Sequence, residues 1–112
     1  MTADFDLEAY ADSKKGEAAF QMEVIKEAHR CGWLVEHYRP SKVGTRYITH
    51  ILGDSGGTDL KLARAGMVLF VEVKAQRGVL SPEQIAWRDA IGAKHWRCWR
   101  PSNKRAAWEE LA

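Results

Sequence analysis

The first third of the chain repeats apolar residues at the spacing of one helix face. This spacing predicts a helix that begins near Ser13, and Gly32 stands where a helix commonly ends in a left-handed residue. The apolar face of this helix would be formed by Phe20, Val24, Ile25 and Ala28. Because most other positions are polar, the helix is expected to pack only this side on a core.

Two further helices are predicted in the second half of the chain. The segment "SPEQIAWRDAIGA" places Ser81 at an N-cap, Pro82 at the first helical position and Gln84 where a capping box needs a polar side chain. The last residues, "SNKRAAWEELA" from Ser102, predict a short amphipathic helix. One helix is therefore expected before the strands, and two among and after them.

Segments with the pattern of strands fill the middle of the chain. "WLVEHY", residues 33–38, predicts a first strand that ends before Pro40. Residues 39–58 form a Gly-, Ser- and Lys-containing stretch in which "RYITHIL", residues 46–52, is a candidate short strand. The pattern leaves the role of this stretch open.

A hairpin and a last strand complete the predicted sheet. "DLKLAR", residues 59–64, and "MVLFVEVKA", residues 67–75, would be joined by the tight turn Ala65-Gly66. The second of these strands is apolar enough to lie centrally with both faces buried. "HWRCWR", residues 95–100, alternates as another strand. This order predicts an α/β fold, a small mixed sheet of about four strands flanked by helices.

Length and composition describe one globular domain, residues 1–112. Of these residues 46% are hydrophobic and 29% charged, which allows one modest core. Residues 1–12 show no clear period and are expected to form a loosely ordered arm. They are acidic, unlike the start of a secretory signal, and the longest apolar run, residues 65–71, is too short to span a bilayer. We expect a cytoplasmic protein that does not enter a membrane.

The net charge of +2 conceals an uneven distribution. Residues 1–30 hold seven acidic and four basic residues, whereas residues 61–105 hold ten basic and three acidic residues, an excess of seven. The basic half also contains Trp87, Trp96 and Trp99, so phosphates and bases could be contacted together. A solvated charged surface with tryptophans in the core explains the same composition.

Charged side chains meet at the end of the predicted hairpin. Because residues two apart share one face of a strand, Glu72 and Lys74 would emerge side by side, with Asp59 next to them at the start of the partner strand. Two carboxylates suit Mg²⁺ or Mn²⁺, and a nearby lysine can stabilise the charge of a pentacovalent phosphate. A charged network that only solubilises a sheet edge is the alternative.

The sequence around these residues resembles a known family. "GGTDLKLARAGMVLFVEVKAQRGVLSPEQIAWRDAI" is similar to the VRR-NUC branch of the PD-(D/E)XK nucleases, whose pattern runs G-x-P-D, then E-V-K, then G-x-L-S-x-x-Q-x-x-W. Upstream, "GEAAFQMEVIKEAHRCGWLVEH" is similar to that family's first helix, and downstream "WRPSN" resembles its last strand and turn. The resemblance covers about residues 16–111 and implies a restriction-endonuclease-like core.

The resemblance implies roles for individual residues, and leaves open whether one or two metal ions bind. The implied metal ligands are Asp59, Glu72, Glu17 and Val73. The implied catalytic set is Lys74, Glu72, Asp59 and Gln84. In this set Lys74 is the catalytic lysine, and Gln84 is a polar residue that faces the site from the helix behind it.

Two positions need comment. Glu23 is the competing first-helix acid, but Glu17 is favoured because it precedes Gly32-Trp33 by fifteen residues and shares a helix face with Gln21. Thr58 stands where the family usually has proline, which puts the rigidity of the turn in doubt more than the activity.

The run "GDSGG", residues 53–57, also surrounds the nucleophile of chymotrypsin-like serine proteases. The chain is too short for two packed barrels, and the histidines before Ser55 lie in no matching motif. A glycine-rich approach instead lets the backbone turn sharply into Asp59 and come close to a phosphate. The run is therefore interpreted as part of a nuclease site.

These features together predict a nuclease that cuts DNA with Mg²⁺ or Mn²⁺. The resemblance implies action on branched or flapped DNA as a homodimer, with another protein as a candidate source of specificity. The predicted DNA-contacting residues are Arg97, Arg100, Lys104 and Arg105, chosen because they cluster in the sequence. The alternative is a non-catalytic nucleic-acid-binding module, against which the intact catalytic set argues. The preferred DNA structure and the polarity of cutting stay open.

Overall fold

The computed structural model describes residues 15–38, 41–43, 46–48 and 52–112. Its elements are α1 (Glu17–Arg30), β1 (Leu34–His37), β2 (Ser41–Val43), β3 (Arg46–Ile48), β4 (Leu60–Arg64), β5 (Met67–Val73), α2 (Pro82–Ile91), β6 (Trp96–Trp99), a 3-10 helix (Pro101–Asn103) and α3 (Lys104–Leu111). The predicted arm, residues 1–12, lies outside the described residues. Within the described ranges, no helix is both long and apolar enough to cross a lipid bilayer.

The fold is α/β, as predicted, with one mixed sheet of four strands. The strand order is β1-β4-β5-β6, in which β4 is antiparallel to both neighbours and β6 is parallel to β5. Helix α2 supplies the crossover that two parallel strands require. The strands β2 and β3 form a separate antiparallel pair; β3 lies in the candidate short strand, whereas β2 was not predicted. The architecture is compatible with a small restriction-endonuclease-like core.

The core lies between one face of the sheet and helices α1 and α3. The inward residues of β5, Leu69, Val71 and Val73, are at most 1% exposed. Phe20 of α1 is fully buried, and its ring stacks on Trp108 of α3 with 6.2 Å between the ring centroids. Each fully buried side chain of this kind contributes about 1.5–3 kcal/mol of transfer free energy. The hydrophobic core therefore holds α1 firmly against β5.

The opposite face of the sheet is less completely covered. Helix α2 has no buried residue, and Val68 and Phe70 on the outward face of β5 are only half-buried. The predicted central position of β5 is confirmed, but the prediction that both of its faces are buried is wrong. The reason is that a single ten-residue helix covers this face, whereas α1 and α3 share the other.

Helix α1 begins later than predicted. Lys15 and Gly16 are not helical, and Gly16 is extended, with φ −73° and ψ 163°, so the helix begins at Glu17 rather than at Ser13. This start places an acidic side chain at the positive end of the helix dipole. The C-terminal prediction is confirmed, since Gly32 has φ +85°. Of the predicted face, the fully buried residues are Phe20, Val24 and Ala28.

Helix α2 begins as its sequence predicts. The Ser81 hydroxyl oxygen accepts a hydrogen bond from the Gln84 backbone N–H at 3.1 Å, and the Gln84 side-chain oxygen accepts one from the Ser81 N–H at 2.9 Å. Pro82 occupies the first helical position. The capping box therefore fixes the first turn of α2 and the direction of the Gln84 amide.

The glycine run before β4 packs against α2. Gly56 has φ +100°, and a Cβ atom at this position would lie 2.7 Å from the backbone carbonyl carbon of Glu83. The Trp87 indole N–H donates a 2.9 Å hydrogen bond to the carbonyl oxygen of Ser55. The run therefore serves a close approach between loop and helix, in addition to the turn into Asp59 that its sequence predicted.

We expect Gly56→Ala to destabilise the protein by about 2–4 kcal/mol, because a clash with Glu83 adds to the strain of a positive φ. Gly53→Ala is the matched control, since Gly53 has φ +101° with no atom within 4 Å of the added Cβ. The control should cost about 1 kcal/mol. Urea unfolding measures both, and equal losses would contradict the close approach of loop and helix.

Candidate metal centre

The register of the β4–β5 hairpin places Asp59 beside Glu72. Leu60 pairs with Val71 across the antiparallel strands, so Asp59, one residue earlier, reaches the same end of the sheet as Glu72. The Val73 N–H donates a 3.4 Å hydrogen bond to Asp59 Oδ2 and tethers this carboxylate. The juxtaposition expected from the sequence is thus present in the structure.

Helix α1 brings a third carboxylate to this point. Carboxylate oxygens of Glu17, Asp59 and Glu72 lie within 4.8 Å of one another, and no other such acidic, His or Cys cluster occurs among the described residues. Glu23, the competing acid, lies elsewhere, 2.9 Å from Lys15 and 3.4 Å from a lysine of α3. Of the two first-helix acids, the structure therefore brings Glu17 to the cluster. These three residues are called the acidic cluster below.

Burial distinguishes Glu72 from the other two acids. Its relative exposure is 2%, whereas Asp59 is half-buried and Glu17 is exposed. Burial, reinforced by the negative charge of Asp59, raises the pKa of Glu72 to about 8 against the opposing effect of the Lys74 ammonium. Without a bound cation, burial and the charge of Asp59 therefore favour the protonated, neutral form of Glu72.

Lys74 and Gln84 both contact one oxygen of Glu72. Lys74 Nζ lies 3.7 Å from Glu72 Oε2, and the Gln84 side-chain N–H donates a 3.0 Å hydrogen bond to the same oxygen. The other oxygen, Oε1, is buried without a hydrogen-bond partner among the described residues. Leaving a buried polar atom unsatisfied costs free energy, and a cation bound at Oε1 would remove this cost.

The donor set fits a hard divalent cation. All three side chains are carboxylates, which Mg²⁺ and Mn²⁺ prefer as ligands. When all are ionised, three carboxylates and one ammonium leave two negative charges in excess, which a divalent cation would balance. The Oε1 atom of Glu72, which has no hydrogen-bond partner among the described residues, is a further reason to expect that a cation fits here. Val73, named as a ligand from the sequence, has a buried aliphatic side chain and offers only its main-chain carbonyl.

The four predicted DNA-contacting residues do not form one open patch. Arg97 is paired with a glutamate of α3 at 2.6 Å, and Lys104 with an acid of α1 at 3.4 Å. Arg100 donates a 3.2 Å hydrogen bond to the carbonyl oxygen of Ala75, the residue after Lys74. Arg105 is exposed. Two of these four residues are therefore already paired with acids from other elements.

Two features that support the cluster were not found from the sequence. Gln76 Nε2 donates to Ser102 Oγ at 2.8 Å, and Gln76 Oε1 accepts from the Ser102 N–H at 3.0 Å. These bonds join the segments that follow β5 and β6. A Cβ atom at Gly78 would lie 3.3 Å from the Lys74 side chain, so this glycine leaves room for the lysine. The position of Gly78 in the G-x-L-S motif was the sequence feature that could have indicated this role.

The chain matches no protein-family model, no curated protein and no solved structure. The resemblance to VRR-NUC nucleases therefore rests on the motif residues of the sequence. What the acidic cluster and Lys74 do must be inferred from their own geometry and charge.

Proposed function

We propose that this chain is a nuclease that hydrolyses DNA phosphodiester bonds with Mg²⁺ or Mn²⁺, as the VRR-NUC resemblance implies. The observation that carries the proposal is the meeting of three carboxylates with Lys74 at one end of the sheet. They come from α1, from β5 and from the residue before β4, so no single local pattern explains their convergence. A network that only solubilises a sheet edge would not bury Glu72 to 2% exposure.

Each side chain has a distinct role in this proposal. Glu17, Asp59 and Glu72 would hold the ion, which when bound polarises the phosphodiester and lowers the pKa of water. Lys74 holds positive charge near the reacting phosphate and orients the attacking water. Gln84 keeps the Glu72 carboxylate in one orientation through its 3.0 Å hydrogen bond.

The form of the cluster favours hydrolysis over a purely structural ion. Glu17 is exposed and Asp59 is half-buried, so one side is accessible to substrate and water. Structural metal sites instead close around the ion with protein ligands. Lys74 Nζ lies 3.7 Å from a ligand oxygen, where it competes with a cation for the carboxylate. Such a lysine weakens metal binding but is useful when an anionic phosphate must also be held.

The substrate and assembly in this proposal follow the resemblance. We propose branched or flapped DNA as the substrate, a homodimer as the assembly and a protein partner as a source of specificity, in the cytoplasm. Arg100 and Arg105 are the preferred phosphate contacts, because Arg100 bonds to the residue after Lys74 and Arg105 is exposed. The alternative, a non-catalytic nucleic-acid-binding module, would have no need of a buried ionisable ligand beside a lysine.

A panel of linear, flapped and four-way DNAs, combined with a size measurement in solution, tests the proposal. We expect cleavage with Mn²⁺ or Mg²⁺, none with Ca²⁺, and faster cutting of flapped than of linear DNA. Robust cleavage in excess chelator would exclude the metal mechanism. Tight binding of these DNAs without cleavage under any metal condition would favour the binding module.

A further inference from the structure

A cavity of about 520 Å³ lies on the less covered face of the sheet. Its floor includes a row of residues paired across three strands, Phe70 of β5, Lys61 of β4 and Glu36 of β1. The loop before β4 forms one wall, and the side of α2 that carries Trp87 forms another. Tyr38 closes the rim at the end of β1. The cavity is thus enclosed jointly by the sheet, helix α2 and the loop before β4.

The cavity adjoins the acidic cluster along three elements. Phe70 and Glu72 share one face of β5 two residues apart, a separation of about 7 Å. On α2, Trp87 lies one turn beyond Gln84, which bonds to Glu72. The Tyr38 N–H donates a 2.8 Å hydrogen bond to the carbonyl oxygen of Asp59. A DNA strand whose scissile phosphate lies at the cluster would therefore place the neighbouring nucleotide at the cavity.

The lining of the cavity suits a flat aromatic ligand. Tyr38, Phe70 and Trp87 contribute aromatic surface, and Tyr38 is 44% exposed. The Trp87 ring is held in place by its hydrogen bond to the Ser55 carbonyl oxygen. Nucleobases that leave the helical stack are commonly bound by stacking on such side chains. A preset aromatic wall lowers the entropy cost of that stacking.

The charges at the rim favour a base over a phosphate. Glu36 and Asp54 are acidic, and Lys61 is the one basic residue among the described lining residues. Lys61 Nζ is already paired with Glu36 at 3.2 Å. An anionic phosphate would be repelled here, whereas the amino groups on base edges would meet carboxylate and hydroxyl acceptors, the hydroxyl coming from Thr58.

We propose that this cavity binds an unpaired nucleobase, on the nucleotide next to the scissile phosphodiester. The position within the substrate rests on the proposed nuclease function, while the nature of the ligand rests on the cavity lining alone. A paired base is retained in its stack and does not reach the cavity. The cavity therefore provides a physical basis for choosing flapped over fully paired DNA.

The test uses a single-stranded oligonucleotide that contains the fluorescent base 2-aminopurine, bound in Ca²⁺, and the same oligonucleotide annealed to its complement. The 2-aminopurine fluorescence of the single strand should fall on protein binding, because the base stacks on the aromatic side chains of the cavity. The fluorescence of the duplex should not change when protein is added. Tyr38→Ala should weaken single-strand binding by about tenfold or more. Leu34→Ala is the matched control, since Leu34 is 77% exposed on the same face of β1 but does not line the cavity.

The outcomes separate this inference from the nuclease proposal. Quenching that depends on Tyr38, in a protein that cuts no DNA with any metal, would support the base site and contradict the nuclease. The base site alone would be overturned by two results in a protein that cleaves DNA with metal. The 2-aminopurine fluorescence would not change on binding, and Tyr38→Ala would bind the single strand as tightly as the parent. The base site would also be overturned if the protein bound single strand and duplex equally tightly and Tyr38→Ala weakened both to the same extent. Thermal unfolding of each variant checks that the fold is retained.

Discussion

Glu72→Gln, Asp59→Asn and Lys74→Ala should each lower the rate of DNA cleavage by about a hundredfold to a thousandfold or more. In the proposed mechanism, each change removes a metal ligand or a charge that acts on the reacting phosphate. Glu72→Gln is the sharpest of the three, because it keeps the shape of a side chain that is 2% exposed and removes only its charge. Single-turnover cleavage in Mn²⁺ gives the rate, and circular dichroism and DNA affinity should stay close to those of the parent.

Two matched controls separate chemistry from general damage. Glu17→Gln should slow cleavage, whereas Glu23→Gln makes the same change on the same helix outside the acidic cluster and should leave the rate near that of the parent. Ser55→Ala should also cut at the parental rate, because its hydroxyl has no role in this chemistry. A folded Glu72→Gln protein that cleaves as fast as the parent would refute the assignment of the site.

The stability of the metal-free protein should fall as the pH rises from about 5 to about 8. The pKa of Glu72 is raised from 4.5 to about 8 in the folded chain, so between these values the folded state retains a proton that the unfolded state has released. Glu72 therefore stabilises the fold most below its unfolded pKa, and this contribution is lost as the pH rises toward the folded pKa. One proton gives a slope of at most about 1.4 kcal/mol per pH unit. Urea unfolding in chelator measures it.

Metal should reverse this trend, because a divalent cation takes the place of the proton on Glu72. Mn²⁺ should therefore raise the melting temperature more at pH 8 than at pH 6. Glu72→Gln isolates the effect from other titrating groups, since it removes the acid and should show a flatter pH slope and a smaller Mn²⁺ response. Identical slopes for parent and variant in chelator would show that Glu72 does not hold the proton.

Local signals predicted much of the fold. Ser81, Pro82 and Gln84 specify the start of α2 within a few residues, and Ala65-Gly66 specifies the turn of the central hairpin, so neither depends on distant contacts. The start of α1 was missed because the apolar face alone does not mark it, and an extended Gly16 sets the boundary. The sequence pattern was therefore sufficient to predict elements that are specified by residues close together in the chain.

The details of the site depend on packing between distant segments. The choice between Glu17 and Glu23 is decided by how α1 lies against β5, which no spacing along the chain encodes. The burial of Glu72 requires a helix, a loop and a neighbouring strand to meet around it. Likewise, Arg97 forms an ion pair with a glutamate thirteen residues later, on another element, and is therefore not free to bind phosphate. Charge counts along the sequence do not contain these pairings.

The amide of Gln84 limits which amino acid this position can hold. A capping box accepts either glutamate or glutamine at its third residue, since both supply the oxygen that the N-cap N–H needs. Here the oxygen accepts from the Ser81 N–H while the nitrogen donates to Glu72. Glutamate would keep the helix start but turn a second acceptor toward Glu72, whose carboxylate must be ionised to hold a cation. Glutamate and glutamine suit the helix start equally, but only the neutral glutamine is compatible with Glu72. The first turn of α2 and the acidic cluster therefore constrain the same residue position.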